Sequence, residues 1–82
     1  MPEHALKVWP EFFGSLENFA KPFEVRRDDR GFKVDDILVL REWSEADGYS
    51  GRELRRRVTY TLRGGQFGIE RGFVVLGLCD VD

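Results

Sequence analysis

Residues 21–43 read KPFEVRRDDRGFKVDDILVLREW, and the fold turns on how this stretch is interpreted. Pro22 takes Lys21 out of helical geometry, because its ring disfavours helical backbone in the residue before it. Phe23, Val25 and Arg27 then alternate with Glu24 and Arg26, the period of two that marks a strand. Ile37 to Trp43 is an almost unbroken apolar run, as expected of a central strand covered on both faces. Between the two runs, Asp28-Asp29-Arg30-Gly31 is a polar turn ending in a glycine that can adopt left-handed backbone. The stretch therefore predicts a hairpin that forms the spine of a small β-structure. It also carries Lys21, Glu24, Arg26, Arg27 and Arg41, the densest group of side chains able to do chemistry or hold an anion.

Upstream, His4 to Trp9 (HALKVW) predicts a short first strand, with Leu6 and Val8 on one face and Lys7 and Trp9 on the other. Pro10 stops that strand and suits the first turn of a helix, and Glu11 sits where the helix dipole favours an acid. Phe12, Phe13, Leu16, Phe19 and Ala20 recur at helical spacing, predicting a helix from Pro10 to about Asn18. So short a helix must lie against the sheet to persist. Downstream, Ser44 to Gly51 (SEADGYSG) predicts a loop. Arg52 to Leu62 (RELRRRVTYTL) predicts a half-exposed strand with Leu54, Val58, Tyr60 and Leu62 on its apolar face. Arg63 to Gly72 (RGGQFGIERG) predicts an irregular loop, and Phe73 to Cys79 (FVVLGLC) the last strand.

These elements predict an α+β chain, mostly β: a small mixed β-barrel of about five strands with one covering helix. Eighty-two residues suffice for a single domain, 1–82. Eleven aromatics, seven of them Phe, help so short a chain to bury enough apolar area. The net charge of −2 argues against a wholly basic nucleic-acid binder. Ten of the thirteen basic residues are Arg, however, the side chain suited to bidentate contacts with phosphates and bases. Cys79 has no partner in the chain, which fits a reducing cytoplasm, and its apolar run marks it as a small buried hydrophobe. One His and one Cys, far apart, make no zinc site, and no cofactor motif is present. The N-terminus has no long apolar run of the kind that enters a membrane. The expectation is a cytoplasmic monomer.

The segments HALKVWPEFF, KPFEVRRDDRGFKVDDILVLREW and GGQFGIERGFVVLG together resemble a short bacterial and phage branch of the ASCH superfamily, over nearly the whole of the chain. The resemblance implies a PUA-like β-barrel related to RNA-binding PUA domains, with a ligand cleft between helix and barrel. Some other ASCH members look like small amidohydrolases acting on acetylated cytidine, and ribonuclease activity has been proposed for others. In the amidohydrolase pattern a lysine precedes a hydroxyl residue by three positions; Lys21 matches the lysine, and Glu24 stands in place of the hydroxyl. Where the branch has a glycine in its VGD turn, this chain has Asp35.

On this reading Lys7, Lys21, Glu24, Arg26, Arg41 and Gln66 line a cleft for RNA or a nucleotide. If the protein is an enzyme, Lys21 is its base or nucleophile and Glu24 relays the proton. The alternative for Lys21 and Glu24 is a plain ion pair at a strand end. Strand alternation sends Arg26 to the side of Glu24 and Arg27 to the other. Arg41, in the most apolar strand, must reach solvent, meet an acid such as Glu24, or bind an anion. Lys7 could meet a phosphate near the helix start, and His4 reads as structural or solvated. In Gly64–Gly68, Gln66 could read a base edge and Phe67 stack on it; alternatively Phe67 plugs the core at a barrel corner. Arg55, Arg56 and Arg57 look like a basic patch but alternate faces in a strand, and the protective charge of an edge strand explains them as well as RNA does. A third reading is a phage module that binds a host protein through an apolar patch near Trp9 or Trp43.

Overall fold

A computed structural model describes residues 2–81. β1 (Glu3–Val8) passes through Trp9 into α1 (Pro10–Glu17), and then follow β2 (Phe23–Arg27), β3 (Ile37–Ser44), β4 (Gly48–Arg63) and β5 (Phe73–Asp80). The five strands form one sheet in the order β1-β3-β4-β5-β2. β1 runs parallel to β3, and the other three pairings are antiparallel. The sheet curls into a half-barrel. The chain is thus α+β and mostly β, a small mixed five-stranded barrel-like sheet with one helix. Leu6, Val8, Leu38, Leu40, Val58, Val74, Leu76 and Leu78 fill its interior from the strands. Phe13 and Leu16 enter that core from α1, and Phe32 enters from the β2–β3 connection. Among the described residues no helix is long and apolar enough to cross a membrane.

The hairpin expected over residues 21–43 does not form. β2 pairs with β5 and β3 with β1 and β4, so the two strands are separated by β4 and β5. Alternation identifies a strand but not its partner, and a local hairpin needs a short loop. Here Asp28–Asp36 is instead a longer crossing, mostly exposed, that sends only Phe32 and Asp36 inward. Phe32 is fully buried there, and Gly31 takes the left-handed backbone expected of it, at φ 63°. The end of the crossing is pinned by Asp36, whose carboxylate accepts hydrogen bonds from His4 Nε2 at 2.9 Å and from the Lys33 amide at 3.0 Å. Phe32 packs edge-on against the same His4 ring. His4 is therefore structural.

Four further expectations need correction. β4 begins at Gly48 rather than Arg52, because Glu45–Asp47 makes a tight turn that pairs Ser44 with Gly48 and Trp43 with Tyr49. Tyr60 is 66% exposed and not in the core. Thr59 is an extra residue between the Val58–Leu78 and Tyr60–Gly77 pairs, and this bulge reverses the alternation, moving Tyr60 and Leu62 to the outer face. Gly77 is needed opposite it, since a Cβ there would lie 2.8 Å from Thr59 Oγ1. Cys79 is half-buried, on the outer face of β5, rather than in the core. β3 is fully covered on one face, by Leu38 and Leu40, and only partly on the other.

The curl brings the two edge strands, β1 and β2, toward each other. No main-chain ladder joins them. Instead Arg26 donates from its guanidinium to the Lys7 carbonyl at 2.6 Å, and Arg30 donates to the Ala5 carbonyl at 2.9 Å. Two alternate carbonyls of the free β1 edge are thus capped by side chains.

Candidate functional site

A cleft of about 320 Å³ lies at this seam, between β1, the start of α1 and the segment 21–26. That volume is at the small end for ligand pockets. Glu24 and Val25 are consecutive in β2 and so point to opposite faces. Glu24 pairs across the sheet with Leu76 and Arg26 with Val74, so both turn inward with the core residues. An inward carboxylate would be costly alone. Glu24, only 4% exposed, is held on both sides: Lys21 Nζ donates to Oε1 at 2.7 Å, and Arg26 Nε donates to Oε2 at 2.8 Å.

The clamp fixes both cations. Lys21 also donates to the Phe23 carbonyl at 3.2 Å, and its ammonium lies 5.5 Å from the Phe12 ring centre and 5.2 Å from that of Phe23. Lys21 reaches this position because its amide bonds to the Ser15 carbonyl just past α1, before Pro22 starts the extended segment. Arg26 spends one N–H on Glu24 and one on the Lys7 carbonyl. A guanidinium has five N–H donors, so three remain for a ligand in a plane already set. Lys7 completes the wall, with its ammonium 4.2 Å from the Trp43 ring centre, and Trp43 packs on Trp9 at 5.6 Å. The cleft is lined by three cations, Lys7, Lys21 and Arg26, and one carboxylate, Glu24, a local excess of two positive charges in a chain whose net charge is −2.

Four of the six residues expected to bind ligand meet here: Lys7, Lys21, Glu24 and Arg26. Arg41 does not. It lies on the outer face of β3, its guanidinium 3.9 Å from the Tyr49 ring centre and its Nε 3.9 Å from Glu53 Oε1. Two strands separate it from Glu24, and alternation with Leu38 and Leu40 points it outward, where solvent solves its charge problem. Gln66 also lies outside the cleft, in the β4–β5 loop, and donates to the Arg63 carbonyl at 2.9 Å. Arg27 takes the outer face as alternation requires, over the Phe73 ring at 4.9 Å. The aromatic half of the cleft, Trp9 and Phe12, was not among the residues the sequence marked for the cleft; Trp9 entered only as part of an apolar patch for a protein partner. Phe12 looked like core, yet Phe13 and Leu16 occupy the inward stripe of the helix, and adjacent helical residues lie about 100° apart. Phe13 shares the stripe with Leu16, and Phe12 sits at its edge, turned toward the cleft.

Among the described residues no cluster of His, Cys, Asp and Glu could hold a metal ion. What the cleft offers is a fixed guanidinium, an ammonium, a shared carboxylate and two exposed aromatic faces. By its chemistry such a set is suited to an anion joined to a flat group.

No curated protein matches the chain. A family model does, over residues 3–78: a domain of unknown function, DUF3850. The match takes in β1 to β4, the helix, β5 as far as Leu78 and all the cleft residues, and the chain belongs to the DUF3850 family.

Proposed function

We propose that this DUF3850 chain is an ASCH-type, PUA-like domain that binds RNA or a nucleotide in the cleft between α1 and the seam of the half-barrel. The observation that carries the reading is the clamped Glu24. Its two partners are oriented cations beside aromatic rings, and the cleft keeps a positive excess inside an acidic protein. A phosphate would take the free donors of Arg26 and the ammonium of Lys7, and a base would lie against Trp9 or Phe12. The remaining lone pairs of Glu24 would accept from an exocyclic amine. Anisotropy titration of a fluorescein-labelled single-stranded RNA tests this. Affinity should fall steeply with salt, and Lys21→Ala or Arg26→Ala should each weaken it about tenfold or more, the scale of a charged hydrogen bond. Absence of binding to RNA and to mononucleotides at low salt would refute it.

The 2.7 Å contact between Lys21 and Glu24 favours a second reading, a hydrolase of the same fold acting on RNA or an acylated nucleoside. It requires the Lys21 amine to be freed from Glu24 in order to attack or to take a proton. Turnover of acetylated cytidine or RNA that is lost in both Lys21→Ala and Glu24→Gln would establish it; no turnover by the wild type would dismiss it.

A further inference from the structure

The cleft has a neighbour. A groove of about 360 Å³ lies on the outer face of β2 and β5, bordered by Val25, Ile69, Phe73 and Val75, with Glu70 at its edge and Gly68 in its wall. Val25, half exposed, lines both compartments. The two are therefore contiguous around the β2 edge and similar in size.

Beside Gly68 stands Phe67, 85% exposed. Gln66 and Ile69 bridge across the tip of the β4–β5 loop, and the two residues between them both have positive φ: 52° at Phe67 and 75° at Gly68. That is the backbone hand of a type I′ turn, whose first central position favours Asn, Asp or Gly. A phenylalanine there is strained and buries little of its ring. The expected core plug is thus absent, and the fold has no need of an aromatic at this position. Gly64 holds the loop tightly, because a Cβ there would fall 1.8 Å from the Glu70 carbonyl oxygen. The ring is carried on a stiff support rather than a floppy one.

We infer that the groove and Phe67 form a second base-binding subsite, so that the ligand of the cleft is a single-stranded oligonucleotide and not a free mononucleotide. The inference rests on the nucleotide-binding reading of the cleft. Phe67 stacks the base that follows the one in the cleft, and the groove takes the body of that nucleotide. Arg27, whose guanidinium lies over Phe73 at the groove, supplies the cation for the linking phosphate. The Glu70 carboxylate repels a phosphate from the groove itself and accepts from an amino group of the base. An added peptide strand fits the seam edge less well, since the Ala5 and Lys7 carbonyls it would need are already capped by Arg30 and Arg26.

The test compares UMP with fluorescein-labelled hexauridylate on the full chain at low salt. The wild type should bind the hexamer more tightly than UMP. Phe67→Ala should weaken the hexamer about tenfold, the scale of one lost stack, while leaving UMP unchanged; Phe67→Tyr should restore it. Phe67→Asn, which suits the backbone, secures a folded variant with the same loss. UMP binding intact with hexamer affinity indifferent to Phe67 would overturn the subsite alone. No binding of either probe would overturn the cleft reading and the subsite with it. Concentration-dependent association of the chain that Phe67→Ala abolishes, without any effect on the hexamer, would assign this face to a second copy instead.

Discussion

Asp35 takes the largest positive φ of any non-glycine residue described, 79°. Its amide donates to the Val58 carbonyl at 2.8 Å, and the next carbonyl, of Asp36, accepts from the Val58 amide at 2.9 Å. The turn is therefore locked to β4, and Asp35 must tolerate a conformation that glycine adopts freely. Asp35→Gly should raise stability by about 0.5–1 kcal/mol, the left-handed penalty less the greater freedom of glycine in the unfolded chain; urea denaturation measures it. Phe32 is the opposite case, a ring with no exposed surface in the middle of an otherwise polar connection. Phe32→Ala should cost about 3–5 kcal/mol through the cavity it leaves, seen as a lower denaturation midpoint at unchanged slope.

The elements were legible in the sequence to unequal degrees. Pro10 and Glu11 marked the start of α1, and its end at Glu17 lies within a residue of expectation. β5 likewise came from an uninterrupted apolar run. What alternation and propensity do not encode is which strands meet. β2 finds β5 across the longest loops in the chain, and only packing selects that partner. The bulge at Thr59 was hidden for a related reason: a period of two continues through Tyr60 and Leu62 in the letters, while the backbone slips by one against Gly77. Lys21, Glu24 and Arg26 were identifiable because they cluster at one strand end, and Lys7 because it lies near the helix start; Arg41 was misplaced because its distance from Glu24 depends on strand order. α1 also shows how an element borrows its stability. It has no basic residue in its last turn. Arg56 of β4, 8% exposed, supplies one from outside, reaching the Leu16 and Glu17 carbonyls at 3.4 and 3.5 Å with its guanidinium 4.5 Å from the Phe19 ring centre. Arg56→Met should keep much of the packing but leave the Glu17 carbonyl without a donor and the Leu16 carbonyl with the Phe19 amide alone, costing about 1–3 kcal/mol and lowering helical ellipticity. Gly77→Ala should disturb the Thr59 bulge and lower the melting temperature.

Across the whole molecule, acid should act through the pin between β1 and the crossing segment. Burial pushes the Asp36 carboxyl up, but the hydrogen bonds from His4 and the Lys33 amide, with the charges of both residues, outweigh it and hold the group below its ordinary value of 3.8. A carboxyl depressed in the folded state contributes stability above that ordinary value and loses it as pH falls through the folded one. Stability measured from pH 6 downward should therefore decline on the acid side, and Asp36→Asn should flatten that part of the curve. The closure of the half-barrel carries a different consequence. Its two edges are held by arginine side chains and not by a main-chain ladder. Parting them breaks side-chain bonds while every strand pair of the sheet survives, so the molecule can breathe along one line without unfolding. Because Arg26 is at once a clasp of that line and a wall of the cleft, whatever occupies the cleft sets how far the line opens. Amides of β1 and β2 should accordingly exchange with solvent faster than those of β3 and β4, and slow when RNA is bound.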